Sequence, residues 1–405
     1  MWHHAAQGVG VTGIARIPAI TMTTRPSQLP GKATSFDIAY LAGVSQPTVS
    51  RALRGSPAVN EATRRRIEAI AKRLNYKVNK SASNLRFQHS NTLALLFFED
   101  PTADDSLINP FFLSMLGSIT RASARCGYDL LISFQQLSGD WHVDFEDSNK
   151  ADGIILLGYG DYLQYRSRLE RLARQRTHFV CWGAVQPGQP GISIGCDNFQ
   201  GGRDATQHLI RHGRRDIAFL GHASQAYPEF LERYRGYEQA LRLEGLSAQP
   251  VLQVDAVVTE HAGYAAACEL IARKTRFDAI FAACDLIAIG AMRALQESRI
   301  AVPEAVAVVG FDDISAASMS RPALTTVMQD PHLGADTLVD TLLRLIHGEP
   351  ATGTTLPARL IVRDSCGAGA RAAQLRPLAT AGCGSSTRST SRPAIRKLTP
   401  PSASA

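Results

Sequence analysis

Residues 35–53 read Ser35-Phe-Asp-Ile-Ala-Tyr-Leu-Ala-Gly-Val-Ser-Gln-Pro-Thr-Val-Ser-Arg-Ala-Leu53. The spacing predicts a helix, a three-residue turn and a second helix. Ile38, Ala39, Leu41 and Ala42 form an apolar stripe at helical spacing. Gly43 stands at the turn, where glycine takes a positive φ at little cost. Ser45 is placed to cap the second helix by accepting from a free N–H. Pro47 falls in the first turn, where a missing N–H does no harm. Val49, Ala52 and Leu53 face back onto the first helix, which leaves Gln46, Pro47, Ser50 and Arg51 pointing outward. A helix presented in this way suits reading of the DNA major groove. Two helices alone fit an ordinary αα-corner as well, so the neighbouring sequence has to decide.

A third helix is expected over residues 60–75. Asn60 is a candidate cap, Ile67, Ile70, Ala71 and Leu74 make a buried stripe, and Asn75 can end the helix. Arg64, Arg65 and Arg66 ride on its outer face. Charge follows the same division. Residues 31–90 carry 11 Lys and Arg against 3 Asp and Glu, whereas residues 91–366 carry 24 against 33. A basic module on an acidic body points to one part that meets a polyanion and another with different work.

From residue 92 short apolar runs alternate with helical stretches. Thr92–Phe98, Asp129–Ser133, Gly153–Leu157, His178–Trp182, Ile192–Gly195, Asp216–Leu220, Val251–Val254, Ala279–Ala283 and Ala307–Gly310 read as strands. Helical segments such as 111–126, 200–212, 233–244, 261–273 and 286–298 lie between them. This alternation implies doubly wound parallel sheets. About ten strands are too many for one compact sheet, so two sheets with a ligand cleft between them are expected.

The ends read differently. Residues 1–33 lack periodicity, and Met22 is a plausible start of translation because the folded pattern begins only a dozen residues later. Residues 367–405 are a Ser/Thr/Pro/Ala/Arg tail of low complexity. Both are expected to be disordered. Gly8-Val9-Gly10-Val11-Thr12-Gly13 matches a dinucleotide fingerprint, but no strand precedes it and no acidic residue occurs before Asp37. Seven dispersed cysteines with no CxxC suggest reduced thiols in a cytoplasm. No run of 18 apolar residues and no signal-peptide pattern is present, so no membrane partner is expected.

No catalytic constellation emerges. His208 and His212 are spaced as in zinc proteases, yet Leu209 stands where glutamate is needed. Asp104 and Asp105 are adjacent on a loop and do not converge on one atom. GxSxG and P-loop patterns are absent, and neither a cofactor nor a metal is expected.

Residues 34–366 resemble the lactose-repressor-type bacterial transcription regulators. The resemblance is carried by Gly43-Val44-Ser45 with Thr48-Val49-Ser50-Arg51, by Val59-Asn60-Glu61-Ala62-Thr63-Arg64, and by Leu74-Asn75-Tyr76. It continues in Asn84-Leu85-Arg86, Asn109-Pro110-Phe111-Phe112, Asp197-Asn198 with Gly201-Gly202, and Arg233 with Gly236. Val308-Val309-Gly310-Phe311-Asp312-Asp313 and Leu324-Thr325-Thr326 complete the series. Each piece is weak alone; in this order they are specific.

The resemblance implies an N-terminal all-α helix-turn-helix DNA-binding domain over 34–78, a hinge helix and linker over 79–90, and an α/β core over 91–366. The core would consist of two doubly wound parallel-sheet subdomains, like those of periplasmic binding proteins. Gln46 would read a base, its amide pairing with adenine, or be simply an exposed polar residue. Arg51 would reach a guanine or a phosphate, Ser45, Thr48 and Ser50 would position the helix on phosphates, and Pro47 would offer only shape or a thymine-methyl contact. Leu85 matches a hinge residue that wedges into the minor groove, although a lone leucine is more often core. Val78 replaces a frequent proline there.

For the core, Arg233 and Asp312 match positions that grip sugar hydroxyls; a loop cap is the alternative for Asp312. Asp285 matches a family position too, with N-capping of the following helix as its expected job. Cys284 stands where asparagine is frequent, and Val258 where an aromatic often stacks on ligand. Trp182, Phe111 or Tyr227 could supply that ring. The expectation is an operator-binding repressor acting as a homodimer, with a tetramer as the alternative, and controlled by a small-molecule effector. A sugar is the expected effector, with a purine or another metabolite as the alternative. A periplasmic sugar-binding transport protein would share the core but lack residues 34–86, and a carbohydrate enzyme would need a paired acid and base.

Overall fold

The computed structural model describes residues 33–53, 55–76, 89–97, 108–134, 140–158 and 160–368. The hinge helix with Val78 and Leu85, the fingerprint at 8–13, Met22, Asp104, Asp105 and nearly all of the tail lie outside them. The chain divides into two compact units between His89 and Ser90.

The first unit packs α1 (Ser35–Ala42), α2 (Gln46–Leu53) and α3 (Glu61–Arg73) around Ile38, Ala42, Val49, Ala52 and Ile67. Thr34 starts α1 with a capping box: its hydroxyl accepts from the Asp37 N–H, and the Asp37 carboxylate accepts from the Thr34 N–H at 2.8 Å. Gly43 ends α1 at φ 62°, as its place in the turn requires. Asn60 caps α3 by accepting from the Thr63 N–H at 2.8 Å, and Asn75 closes it at φ 47°.

The second unit holds two six-stranded sheets. The first contains β1 (Thr92–Phe97), β2 (Asp129–Phe134), β3 (Gly153–Leu157), β4 (Phe179–Trp182), β5 (Ile192–Cys196) and β11 (Thr354–Leu356), in the order β11-β5-β4-β3-β1-β2. The second contains β6 (Ile217–Leu220), β7 (Gln253–Val254), β8 (Ala279–Ala282), β9 (Ala307–Asp312), β10 (Thr325–Met328) and β12 (Arg359–Ile361), in the order β12-β10-β9-β8-β6-β7. Every pairing is parallel except that of β10 with β12. β3 and β8 are buried along their whole length, as strands covered on both faces must be.

Helices α4 (Pro110–Arg125), α5 (Tyr162–Arg174) and α11 (Pro331–Ile346) serve the first sheet. Helices α6 (Asn198–Arg211), α7 (Pro228–Leu243), α8 (Glu260–Ala272), α9 (Asp285–Glu297) and the short α10 (Ser315–Met319) serve the second. The chain crosses between the sheets three times: after β5, after β10 and after β11. Each sheet turns carboxyl ends of strands toward loops that carry polar side chains, the usual place for a ligand in such folds.

Candidate DNA-binding surface and effector cleft

On the first unit, the Ser45 carbonyl accepts the first helical bonds of α2, from Thr48 at 2.9 Å and Val49 at 3.2 Å. The Ser45 hydroxyl meets that of Thr48 at 2.9 Å instead of capping a backbone N–H, which corrects the expected role of its side chain. Pro47 and Arg51 are exposed, and Gln46, Thr48 and Ser50 are half-buried on α2. Gln46 Nε2 donates to the Ser35 hydroxyl at 3.3 Å, which tethers the amide near the start of α1. Arg64 departs from expectation. Its guanidinium donates to the Ser56 carbonyl at 2.8 Å and pairs with Glu61 at 3.2 Å, so it holds the loop after α2 while Arg65 and Arg66 stay outside.

In the second unit, Arg233 projects from α7 and is fully buried. Nε donates to Asn198 Oδ1 at 2.8 Å and Nη1 to the Ala283 carbonyl at 2.5 Å. Its guanidinium lies 3.7 Å from the centre of the Phe311 ring and 5.2 Å from that of Phe230. Asp312 ends β9 and sits 3.6 Å from Arg233 Nη1, also accepting from Gln329 Nε2 at 2.6 Å. Its φ of 113° is a conformation that L-residues rarely hold, and such strain gathers at functional sites.

Cys284 is buried just before α9, near this pair. Burial pushes its thiol far up, which leaves a neutral, compact group. Cys196 at the end of β5 is raised to about 12 for the same reason. Asp285 does not cap its own helix. It accepts from the Ile314 N–H at 2.9 Å and the Thr326 hydroxyl at 2.5 Å, so it pins the loop after β9 to β10. Burial drives its carboxyl well above the usual range, and the neighbouring Asp312 charge pushes the same way. Arg233, Asp312 and Cys284 therefore form one cluster on the second sheet. Trp182 and Phe111 form another on the first, with ring centres 5.8 Å apart and both buried. Tyr227 stacks on Phe230 at 6.2 Å, and Val258 is buried in the core.

Two features escape sequence reading. Glu229, in the first turn of α7, accepts from the Ala184 N–H at 2.9 Å and so joins the second subdomain to the first. Desolvation raises its carboxyl above the usual range. A second bond, from the Tyr162 N–H at the start of α5 to the Ala226 carbonyl before α7 at 2.8 Å, ties the same two subdomains. Beside them a cleft of about 640 Å³ opens between the subdomains, walled by α5 and the loop after β4 on one side and α7 on the other. Nothing in a single sequence marks which loops converge there.

Among the described residues no group of three His, Cys, Asp or Glu side chains could hold a metal ion. Nor is any described helix long and apolar enough to cross a membrane. A helix-turn-helix unit followed by a two-sheet core with a ligand-sized cleft defines the class of ligand-responsive, DNA-reading regulators. Within it, the chain belongs to the lacI family of bacterial regulatory proteins. The model of that family matches residues 36–79, and the model of the periplasmic binding protein-like domain matches residues 206–366.

Similar proteins include the HTH-type transcriptional regulator CelR of Thermobifida fusca, 32% identical over 331 residues, covering 80% of this chain and 94% of that protein. The ribose operon repressor of Escherichia coli (strain K12) is 30% identical over 319 residues, covering 78% and 93%. Among solved structures, the lac repressor dimer bound to operator and the anti-inducer ONPF superposes with a TM-score of 0.69 at 26% identity, covering 83% of this chain and 99% of that one. The complex of CelR with cellobiose gives 0.61 at 31% identity, covering 82% and 99%.

Proposed function

We propose that the protein is a sequence-specific transcriptional repressor that binds operator DNA as a homodimer and loses or gains affinity when a sugar enters its core. The observation that carries this reading is the joining, in one chain, of the three-helix unit presenting Gln46, Pro47 and Arg51 to a two-sheet core with an interdomain cleft. Gln46 reads a base, Arg51 a guanine or phosphate, and Ser45, Thr48 and Ser50 fix the helix on the backbone. Arg233 and Asp312 hold the sugar, with Trp182 and Phe111 as apolar walls and Cys284 as a small neutral neighbour. Leu85 wedges the minor groove. Relatives that bind cellobiose or regulate a ribose operon support a sugar over a purine.

Dimerisation is supported by the β2 edge, where Leu131, Ile132 and Phe134 are 37%, 47% and 47% exposed on an open strand. Such an edge calls for a covering partner. The protein acts in the cytoplasm, where the operator is, and has no enzymatic step. Selection of a bound sequence from random DNA, followed by fluorescence anisotropy with and without sugars, tests the reading. A selected site whose affinity shifts at least tenfold with one sugar is expected. Absence of any selected sequence overturns the DNA role, and a response to purines alone overturns the sugar.

A further inference from the structure

Ser35 is the first residue of α1, and Gln46, eleven positions later, is the first of α2. The starts of the two helices meet through these side chains, with Gln46 Nε2 donating to the Ser35 hydroxyl at 3.3 Å. The neighbouring hydroxyls do not compete for the amide. Those of Ser45 and Thr48 bond each other at 2.9 Å, and Pro47 carries no polar side-chain atom.

Charge sets which way round the amide lies. Asp37, two residues past Ser35, accepts from the N–H and the hydroxyl of Thr34, and these bonds keep its carboxyl below the usual range. A carboxylate at this end of α1 attracts the NH₂ side of an amide and repels its oxygen. An unrestrained glutamine is tolerant by comparison. Its terminal torsion is broad and roughly two-fold, so the amide turns over to accept from an adenine or cytosine amino group or to donate to the acceptors of guanine. With one N–H given to Ser35, the oxygen and the other N–H remain side by side. That pair fits the N6 and N7 edge of adenine, and its oxygen alone fits cytosine N4.

We infer that Ser35 determines the specificity of Gln46. Its hydroxyl holds the amide nitrogen back, so the oxygen faces the base edges and selects a base with an exocyclic amino group, adenine before cytosine, against guanine and thymine. Ser35 is thus a positioning residue that acts through Gln46. The inference rests on placing Gln46 in the groove and adds the direction in which its amide reads.

Fluorescence anisotropy on the full chain tests this, at one fixed salt concentration, with the selected operator and each of its single-base variants. The position that loses discrimination in Gln46→Ala is the one Gln46 reads. There the parent should favour adenine over guanine about tenfold or more. Ser35→Ala should cut that ratio to about threefold or less while discrimination at other positions stays. Ser35→Thr, which keeps the hydroxyl, should restore it. The Thr34 cap is intact in both variants, and alanine suits a helix, so the reader folds. A parent that prefers guanine or thymine at this position overturns the orientation of the amide. A Ser35→Ala variant that keeps the full ratio, or that weakens every operator alike as a lost phosphate contact does, overturns the role of Ser35. If Gln46→Ala alters no position, the groove reading itself fails and the inference falls with it.

Discussion

At Arg233 a buried ion pair coincides with the proposed sugar grip. Arg233 is 0% exposed, and its charge is matched by Asp312 and by the faces of Phe311 and Phe230. Breaking a buried pair by removing one partner costs about 3–5 kcal/mol, so Asp312→Ala should lower the unfolding free energy by that order as well as abolish the sugar response. Urea denaturation of Asp312→Ala beside Arg233→Met/Asp312→Ala checks it: the double variant should regain much of the loss, and equal losses would mean the guanidinium is satisfied without Asp312. On the DNA side, Gln46→Ala should relax discrimination at one or two operator positions by about 1–3 kcal/mol. Unchanged affinity for every point-variant operator would remove Gln46 from the groove. His208 predicts a pH effect. Its ring packs at a tilt against His212 with centres 4.3 Å apart, and burial, followed by the His212 and Arg211 charges, pushes its pKa down to about 4 from 6.5. Below pH 6.5 the unfolded chain takes a proton that the folded ring refuses, so this contribution, intact at higher pH, is lost as pH falls toward 4. His208→Gln should lose less stability between pH 7 and 4.5 than the parent, measured by denaturant midpoints; an equal loss would place the acid sensitivity elsewhere. The residues that sequence misread are those whose partners are remote. Arg64 looked like one of three outward arginines because the Ser56 carbonyl is invisible in a helical pattern, and Asp285 looked like a helix cap because Thr326 lies 41 positions away.

Elements were more legible than partners. Helices α1, α2 and α3 follow from a glycine turn, an asparagine cap and apolar stripes, all local signals. Gly153–Leu157 forms a strand over its expected span, since five apolar residues between polar ones have few other uses. The expected strand over Val251–Val254 keeps only Gln253–Val254, because Pro250–Leu252 turn into a 3₁₀ segment. β11 and β12 are three residues each, too short for a period to register, and with β10 they are absent from the expected strands. The core helices pair through glycines. A Cβ on Gly236 of α7 would collide with the Phe199 carbonyl of α6, and one on Gly290 of α9 with the Glu260 carbonyl of α8. Overpacking of this kind costs about 1–3 kcal/mol, and more where backbone must move. Gly236→Ala should thus destabilise the core and shift Arg233, three residues before it, so thermal melting and sugar affinity fall together. A variant that melts like the parent would mean that α6 and α7 separate freely.

At the scale of the whole molecule, two sheets, a cleft between them and a basic reading unit were apparent from charge balance and alternation, whereas the residues that wall the cleft were not, because they lie on loops that only the crossovers bring together. Those crossovers also set an order in time. The first sheet opens with Thr92 yet takes its edge strand from Thr354–Leu356 and its covering helix from Pro331–Ile346, whose Ala335, Leu338, Val339 and Leu342 are buried. Domains fold as units while the chain emerges from the ribosome, N-terminal parts first. The three-helix reader, complete by residue 76, leaves the ribosome with its own apolar cluster closed. The subdomain that follows it must wait, with one flank of its sheet bare, while the chain runs on from Cys196 through all of the second sheet but β12 to Leu356. A ribosome that stops early therefore releases a finished reading head on an unfinished sensor.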